Sequence, residues 1–185
     1  GGKARAMLKE AHREKEQGVD LVVGTIDYYE EPETMKLFEG LEILPPLQNL
    51  HKGKNWVELE LDRALERKPE LILVHQLAYT NGTGRRHIKR YKEIEELLNA
   101  GIDVYTAVDI QCVESLKDIV SAVDGMEPKS TVPDYILKEA DEIEVVDDNP
   151  ESFSTMKRLL LQYVSRRKEE GQVIKQGQCN MVWPE

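Results

Sequence analysis

Glu70-Leu71-Ile72-Leu73-Val74-His75-Gln76-Leu77-Ala78-Tyr79-Thr80-Asn81 runs into Gly82-Thr83-Gly84-Arg85-Arg86-His87-Ile88-Lys89-Arg90, and the rest of the chain is organised around this stretch. The apolar run at 71–74 sits between Pro69 and the glycine-rich segment at 82–84, which reads as a short strand buried on both faces. Buried strands in alternating α/β chains aim their C-terminal ends at ligands, so function is expected near residues 75–90. In a phosphate-binding α/β domain the residue leaving that strand is the Asp that holds magnesium. Here it is His75.

Outward from this strand the pattern alternates. Ala4, Met7, Leu8 and Ala11 recur at the spacing of one helix face, predicting a helix over about 3–17 that Gly18 stops before a buried strand at 19–24. Tyr91, Ile94, Leu97 and Leu98 stripe a second helix, which Gly101 ends before a strand at 102–106. Helix, glycine, apolar residue, Asp and strand thus occur in the same order at both places, as repeated helix-to-strand loop chemistry. A short helix is expected at 32–39, an edge segment at 41–44, a surface loop at 45–56 and a helix from about 58 to Pro69. Further helices are expected at 113–125, 133–140 and 150–169, the last capped by Asn149-Pro150, with a final strand at 143–146. Residues 171–185 are polar and without period, and Trp183 is expected to dock back on the body, with docking on a partner as the alternative. Strands alternating with helices imply right-handed crossovers and a parallel sheet covered on both faces.

Composition bounds the function. The chain has 185 residues, 40% of them hydrophobic and 32% charged, which suits one globular domain with a core of ordinary size. A formal charge of −10 removes the general electrostatic attraction that drives binding to nucleic acid or to an anionic membrane. Cys112 and Cys179 lack Cys-x-x-Cys spacing and read as reduced thiols of a cytosolic protein. No stretch approaches the ~20 apolar residues of a membrane span, so this chain is not expected to insert into a membrane directly.

Gly2-Lys3 at a helix start matches the end of the phosphate-binding loop Gly-x-x-x-x-Gly-Lys-Ser/Thr, in which backbone N–H groups and the lysine cradle phosphates. Alone the pair is common at helix starts. It gains weight because this helix leads into a buried strand and the strand at 71–74 ends where a metal-binding acid would stand. The group Arg85, Arg86, His87, Lys89 and Arg90 is the second concentration of chemistry. Positive charge at a helix N-terminus opposes the helix dipole, so it needs a reason: a solvated helix start, or an anion or partner site using arginine forks. His75, Asp109 and Cys112 at strand ends are a weaker candidate for a soft metal, without recognisable ligand spacing.

From about residue 2 to 148 the sequence resembles the N-terminal cytoplasmic domain of KdpD, the osmosensitive potassium-channel sensor histidine kinases. The resemblance is carried by Ala6-Met7-Leu8, Glu10-Ala11-His12, Pro32-Glu33-Thr34, Glu39-Gly40-Leu41-Glu42, Leu61-Asp62-Arg63-Ala64-Leu65 and Lys68-Pro69-Glu70-Leu71-Ile72-Leu73-Val74. It is densest from Thr80-Asn81 through Gly84, Arg86-His87 and Lys89-Arg90-Tyr91 to Glu95-Glu96-Leu97-Leu98-Asn99-Ala100-Gly101-Ile102-Asp103-Val104-Tyr105-Thr106, and it returns at Thr131-Val132-Pro133-Asp134.

The family pattern has a complete phosphate-binding loop ending Gly-Lys-Thr. It has Asp-Glu-Leu-Ala-His where this chain has His75-Gln76-Leu77-Ala78-Tyr79, and Asn-Val-Gln-His where it has Asp109-Ile110-Gln111-Cys112. Against Glu-Thr-His-Gly-Arg the chain sets Asp27-Tyr28-Tyr29-Glu30-Glu31. Relative to that pattern Lys3 survives, Ala4 replaces a magnesium-ligating hydroxyl, His75 replaces the metal-side carboxylate and Gln76 replaces a general-base candidate. Magnesium wants hard oxygen ligands, so these changes make magnesium doubtful and phosphoryl transfer unsupported. Binding of ATP or another nucleotide without turnover stays open, because N–H groups and Lys3 do not need the metal.

The resemblance therefore implies an α/β, P-loop-like three-layer fold with a mainly parallel sheet flanked by helices, built by residues 2–170 as a sensor domain with a tail at 171–185. It implies a cytoplasmic regulatory input domain whose partners are the kinase and membrane regions of a parent protein at the inner membrane, or a partner kinase. A homo-oligomer is a further possibility. The nucleotide-side candidates are Gly2, Lys3, Ala4, His75, Gln76, Thr80 and Asn81; the anion- or partner-side candidates are Arg85, Arg86, His87, Lys89 and Arg90; no catalytic residue or metal ligand is assigned. The alternatives are an active P-loop NTPase and an oligomerisation or partner-binding module. In the P-loop architecture a strand precedes Gly-Lys, so the natural protein is expected to begin earlier than residue 1.

Overall fold

The computed structural model describes residues 2–26, 31–51, 54–109, 112–115, 117–118, 130–140, 142–145 and 179–183. In chain order these form α1 (Gly2–Glu16), β1 (Leu21–Thr25), α2 (Pro32–Lys36), β2 (Glu42–Ile43), β3 (Leu47–His51), β4 (Lys54–Glu58), α3 (Leu61–Arg67) and β5 (Leu71–Val74). They continue with α4 (Arg90–Asn99), β6 (Asp103–Ala107), α5 (Asp134–Lys138), β7 (Glu142–Val145) and β8 (Cys179–Trp183). The expected helices at 113–125 and 150–169 fall mostly or wholly outside the described residues, as do residues 27–30.

β1, β2, β5, β6, β7 and β8 form one sheet in the order β2-β1-β5-β6-β8-β7, with every pairing parallel. Parallel strands need crossovers, and the helices that supply them cover both faces. The strand pleat sends neighbouring residues to opposite layers. Val22, Ile72 and Val104 join Leu61, Ala64, Ile94, Leu97 and Leu137 of α3, α4 and α5 on one side. Val23, Leu73 and Tyr105 join Ala4, Met7, Leu8 and Ala11 of α1 on the other. The result is the α/β three-layer arrangement with a mainly parallel sheet.

Local chemistry sets the joints. Gly18 and Gly101 take φ of 88° and 82° after α1 and α4. In each case the next residue's N–H reaches five residues back, Val19 to Glu14 O at 3.1 Å and Ile102 to Leu97 O at 3.1 Å, which closes the helix end and turns the chain into its strand. Gly24 lies where the β1–β5 register shifts, and a Cβ there would stand 2.9 Å from both Ile72 Cδ1 and Leu59 Cδ1. A glycine inside a strand is here the condition for close packing.

Two expectations are corrected. Residues 45–56 do not form a loop throughout: β3 and β4 pair antiparallel from Leu47↔Glu58 to His51↔Lys54. The polar composition lacks strand alternation, and the ribbon is seen in its backbone pairing. Residues 179–183 likewise form a strand, β8, inside the sheet between β6 and β7, although nothing in the polar 171–185 segment signals it. Trp183 ends β8; its side chain is outside what the structure describes. Among the described residues no helix is long and apolar enough to cross a membrane.

Ile72 is fully buried and Ile43 is 50% exposed on the edge strand. Urea denaturation is expected to show Ile72→Ala losing about 2–5 kcal/mol, and Ile43→Ala staying within about 0.5 kcal/mol of the parent.

Candidate functional site

The C-terminal ends of β1, β5 and β6 and the first turn of α1 meet at one end of the sheet. Thr25 and Thr106 flank Val74 in register, and the next residue, His75, donates its backbone N–H to Thr25 O at 2.8 Å. The hydroxyls of Thr25 and Thr106 and both ring nitrogens of His75 are buried with no hydrogen-bond partner among the described residues. Polar groups in that position are normally satisfied, so a row of them at strand ends marks a place where further polar atoms fit. The chain then turns sharply at Gln76, with φ of 55°, a conformation costly for a residue other than glycine. Two backbone bonds hold it there, Tyr79 N–H to Gln76 O at 3.0 Å and Leu77 N–H to Ala107 O at 2.8 Å.

Lys3 is only 3% exposed and forms an ion pair with Asp109, just beyond β6. Burial, aided by the nearby Lys3 and Arg90 charges, pushes the His75 pKa down to about 3. The ring is therefore neutral at pH 7 and offers one donor and one acceptor. Cys112 is pushed up to about 11 by burial and by Asp109, with Lys3 opposing, so it stays a thiol. No group of three His, Cys, Asp or Glu side chains able to hold a metal occurs among the described residues. Ala4 packs into the α1 side of the core, 1% exposed.

The basic run is bound into the protein. Arg90 is 1% exposed; its Nη1 donates to His75 O at 2.9 Å, and its guanidinium lies 4.0 Å from the centre of the Tyr79 ring. Arg85 Nε donates to Glu58 Oε1 at 2.9 Å, while the Tyr79 hydroxyl and Gly82 N–H donate to Oε2 at 2.9 and 2.8 Å. Burial pushes the Glu58 pKa up, but the Gly82 N–H, the Tyr79 hydroxyl and Arg85 outweigh it and hold the carboxyl below its usual value. Arg86 reaches Asp62 and spans both oxygens of Glu96, His87 shares Glu96, and Lys89 donates to Thr80 Oγ1 at 2.9 Å. Asn81 Nδ2 donates to His87 O at 2.9 Å and to Glu93 Oε1 at 2.7 Å.

Of the nucleotide-side candidates, Lys3 and His75 come together electrostatically at the start of α1, with Gly2 opening that helix and Gln76 in the strained turn after β5. Thr80 and Asn81 go with the basic run instead, and Arg90 links the two groups through the His75 carbonyl. Glu58 and the role of Asp109 were missed from sequence. The available signal was charge balance: a dense basic run in a chain of net charge −10 calls for internal counter-charges.

The profile of a family described as "KdpD: Osmosensitive K+ channel His kinase sensor domain" matches residues 1–176. The chain is 42% identical over 178 residues, 96% of its length, to the sensor protein KdpD of Escherichia coli (strain K12). It is 45% identical over 152 residues, 82% of its length, to that of Clostridium acetobutylicum, and 41% identical over 152 residues, 82% of its length, to that of Mycobacterium tuberculosis. The matched part is 19%, 17% and 18% of those relatives, so the chain spans under a fifth of their length.

Two outcomes are expected. His75 titrates near 6.5 when unfolded and near 3 when folded, so acidification through that window favours the unfolded chain. His75→Gln should remove a loss of about 1.4 kcal/mol per pH unit from that window, read as the difference between the two proteins' stability-against-pH curves. Glu58→Ala removes the acceptor of the Arg85, Tyr79 and Gly82 donors and should cost about 1–3 kcal/mol at pH 7 by urea unfolding.

Proposed function

The chain belongs to the KdpD family of osmosensitive K+ channel His kinase sensor domains, and from that membership we propose that it is a regulatory input module that binds a nucleotide or similar phosphate compound without turning it over. The kinase and membrane regions of a parent protein, or a partner kinase, receive its signal at the cytoplasmic face of the membrane, in a potassium or osmotic response. The observation that carries the binding reading is the buried cluster at the strand ends: Lys3 on the first turn of α1, beside a neutral His75 whose two ring nitrogens have no partner among the described residues. A lysine at a helix N-terminus with N–H groups beside it suits phosphate oxygens.

The same residues argue against turnover. Phosphoryl transfer needs a metal ion bridging phosphate oxygens, and Ala4 lies in the core while a neutral imidazole leaves β5. The buried His75 nitrogens suit a hydrogen-bonding ligand; hard-oxygen coordination of magnesium has no support in Ala4 or His75. In this reading the basic run has an internal part to play, holding the turn after β5 through Glu58, Glu96 and the His75 carbonyl.

A thermal-shift titration with ATP, with and without magnesium, tests the proposal. At about 100 times the dissociation constant the ligand should add ~2.7 kcal/mol of stability. Magnesium should not be required, and Lys3→Ala should abolish the shift. Magnesium-dependent ATP hydrolysis that Lys3→Ala lacks would overturn the claim of binding without turnover.

A further inference from the structure

The ion pair of Lys3 with Asp109 joins α1 to the end of β6 across the mouth of the cluster just described. Its members differ in freedom. The Lys3 side chain is 4% exposed and fixed on a helix, while the Asp109 side chain is 34% exposed and stands past the last strand residue. Only Asp109 has water beside it into which to retreat. A carboxylate on a buried ammonium is chemically the same contact as a phosphate oxygen on it, a charge-assisted hydrogen bond from nitrogen to an anionic oxygen.

We propose that Asp109 is a built-in competitor for the anion site: its carboxylate occupies the place at Lys3 that a phosphate group of a ligand takes, and it must swing out for that ligand to enter. With Asp109 in place the positive charge of Lys3 is already answered. The charges of Lys3 and Arg90 both act on the His75 ring, so the cluster favours an anionic group. The Asp109 backbone is held independently of its side chain, its carbonyl accepting from Cys112 N–H at 2.9 Å, so the side chain can move without unfolding the backbone there. This inference rests on the phosphate-binding reading of the preceding subsection and adds that Asp109 competes with the ligand for Lys3.

Isothermal titration of the full chain with inorganic phosphate and with ATP, both without magnesium, tests it in the parent, Asp109→Asn, Lys3→Ala and the double variant. Asp109→Asn keeps the side-chain shape and removes the competing charge, so it should bind at least about tenfold tighter than the parent, and the double variant should lose that gain. Tightening with ATP but not with inorganic phosphate supports a competitor specific to the larger ligand; tightening with both supports a site for phosphate itself. Equal affinity in the parent and Asp109→Asn, with binding lost in Lys3→Ala, overturns the competitor and leaves the binding reading standing. No binding to any of the four proteins overturns both. If circular dichroism shows Asp109→Asn unfolded, the pair is a structural necessity and not a displaceable competitor, and the proposal falls.

Discussion

A parallel sheet must be covered on both faces, and this constraint shapes the described part of the molecule. β1, β5 and β6 alternate their side chains between two apolar layers, one closed by α1 and the other by α3, α4 and α5. Each crossover brings the chain back to start the next strand in the same direction, so the strands' C-terminal ends collect on one side. Thr25, His75, Thr106 and Asp109 share that side because they end, or follow, three parallel strands. The site is a by-product of topology before it is a matter of residue choice.

The loop between β5 and α4 is then held by charge. Removing an arginine from water is expensive, and Arg90 is tolerated because it bonds to the His75 carbonyl and stacks on Tyr79. Glu58 gathers three donors from the loop and ties it to the β3–β4 ribbon. Glu93 is the opposite case. Burial raises its pKa, with the Asn81 hydrogen bond and Arg90 opposing. Two buried carboxyls bonded to the same loop are thus set apart by the number of donors each receives.

Around Lys3 the groups that a metal-dependent phosphoryl transfer would use are replaced by an alanine in the core and a neutral imidazole. What remains is a buried lysine paired with Asp109 beside buried polar atoms, the basis of the proposed binding without turnover. Membership of the sensor-domain family and the chemistry of the site therefore point in the same direction.

The helices and strands were legible where the residue pattern itself is the cause: the stripes of α1 and α4, the apolar run of β5, and the glycines 18 and 101 whose positive φ turns a helix into a strand. β3, β4 and β8 were not, because the first two are defined by backbone pairing with each other and β8 by backbone pairing inside the sheet, with no amphipathic pattern to mark them. At the site, Lys3 and His75 could be singled out from sequence, since residue type and position relative to a strand suffice for that. That Lys3 meets Asp109, that Arg85 is answered by Glu58 and that Arg90 is buried under Tyr79 were decided only by the tertiary structure. An ion pair between residues 3 and 109 depends on where two crossovers place their ends, and local sequence carries no record of that distance.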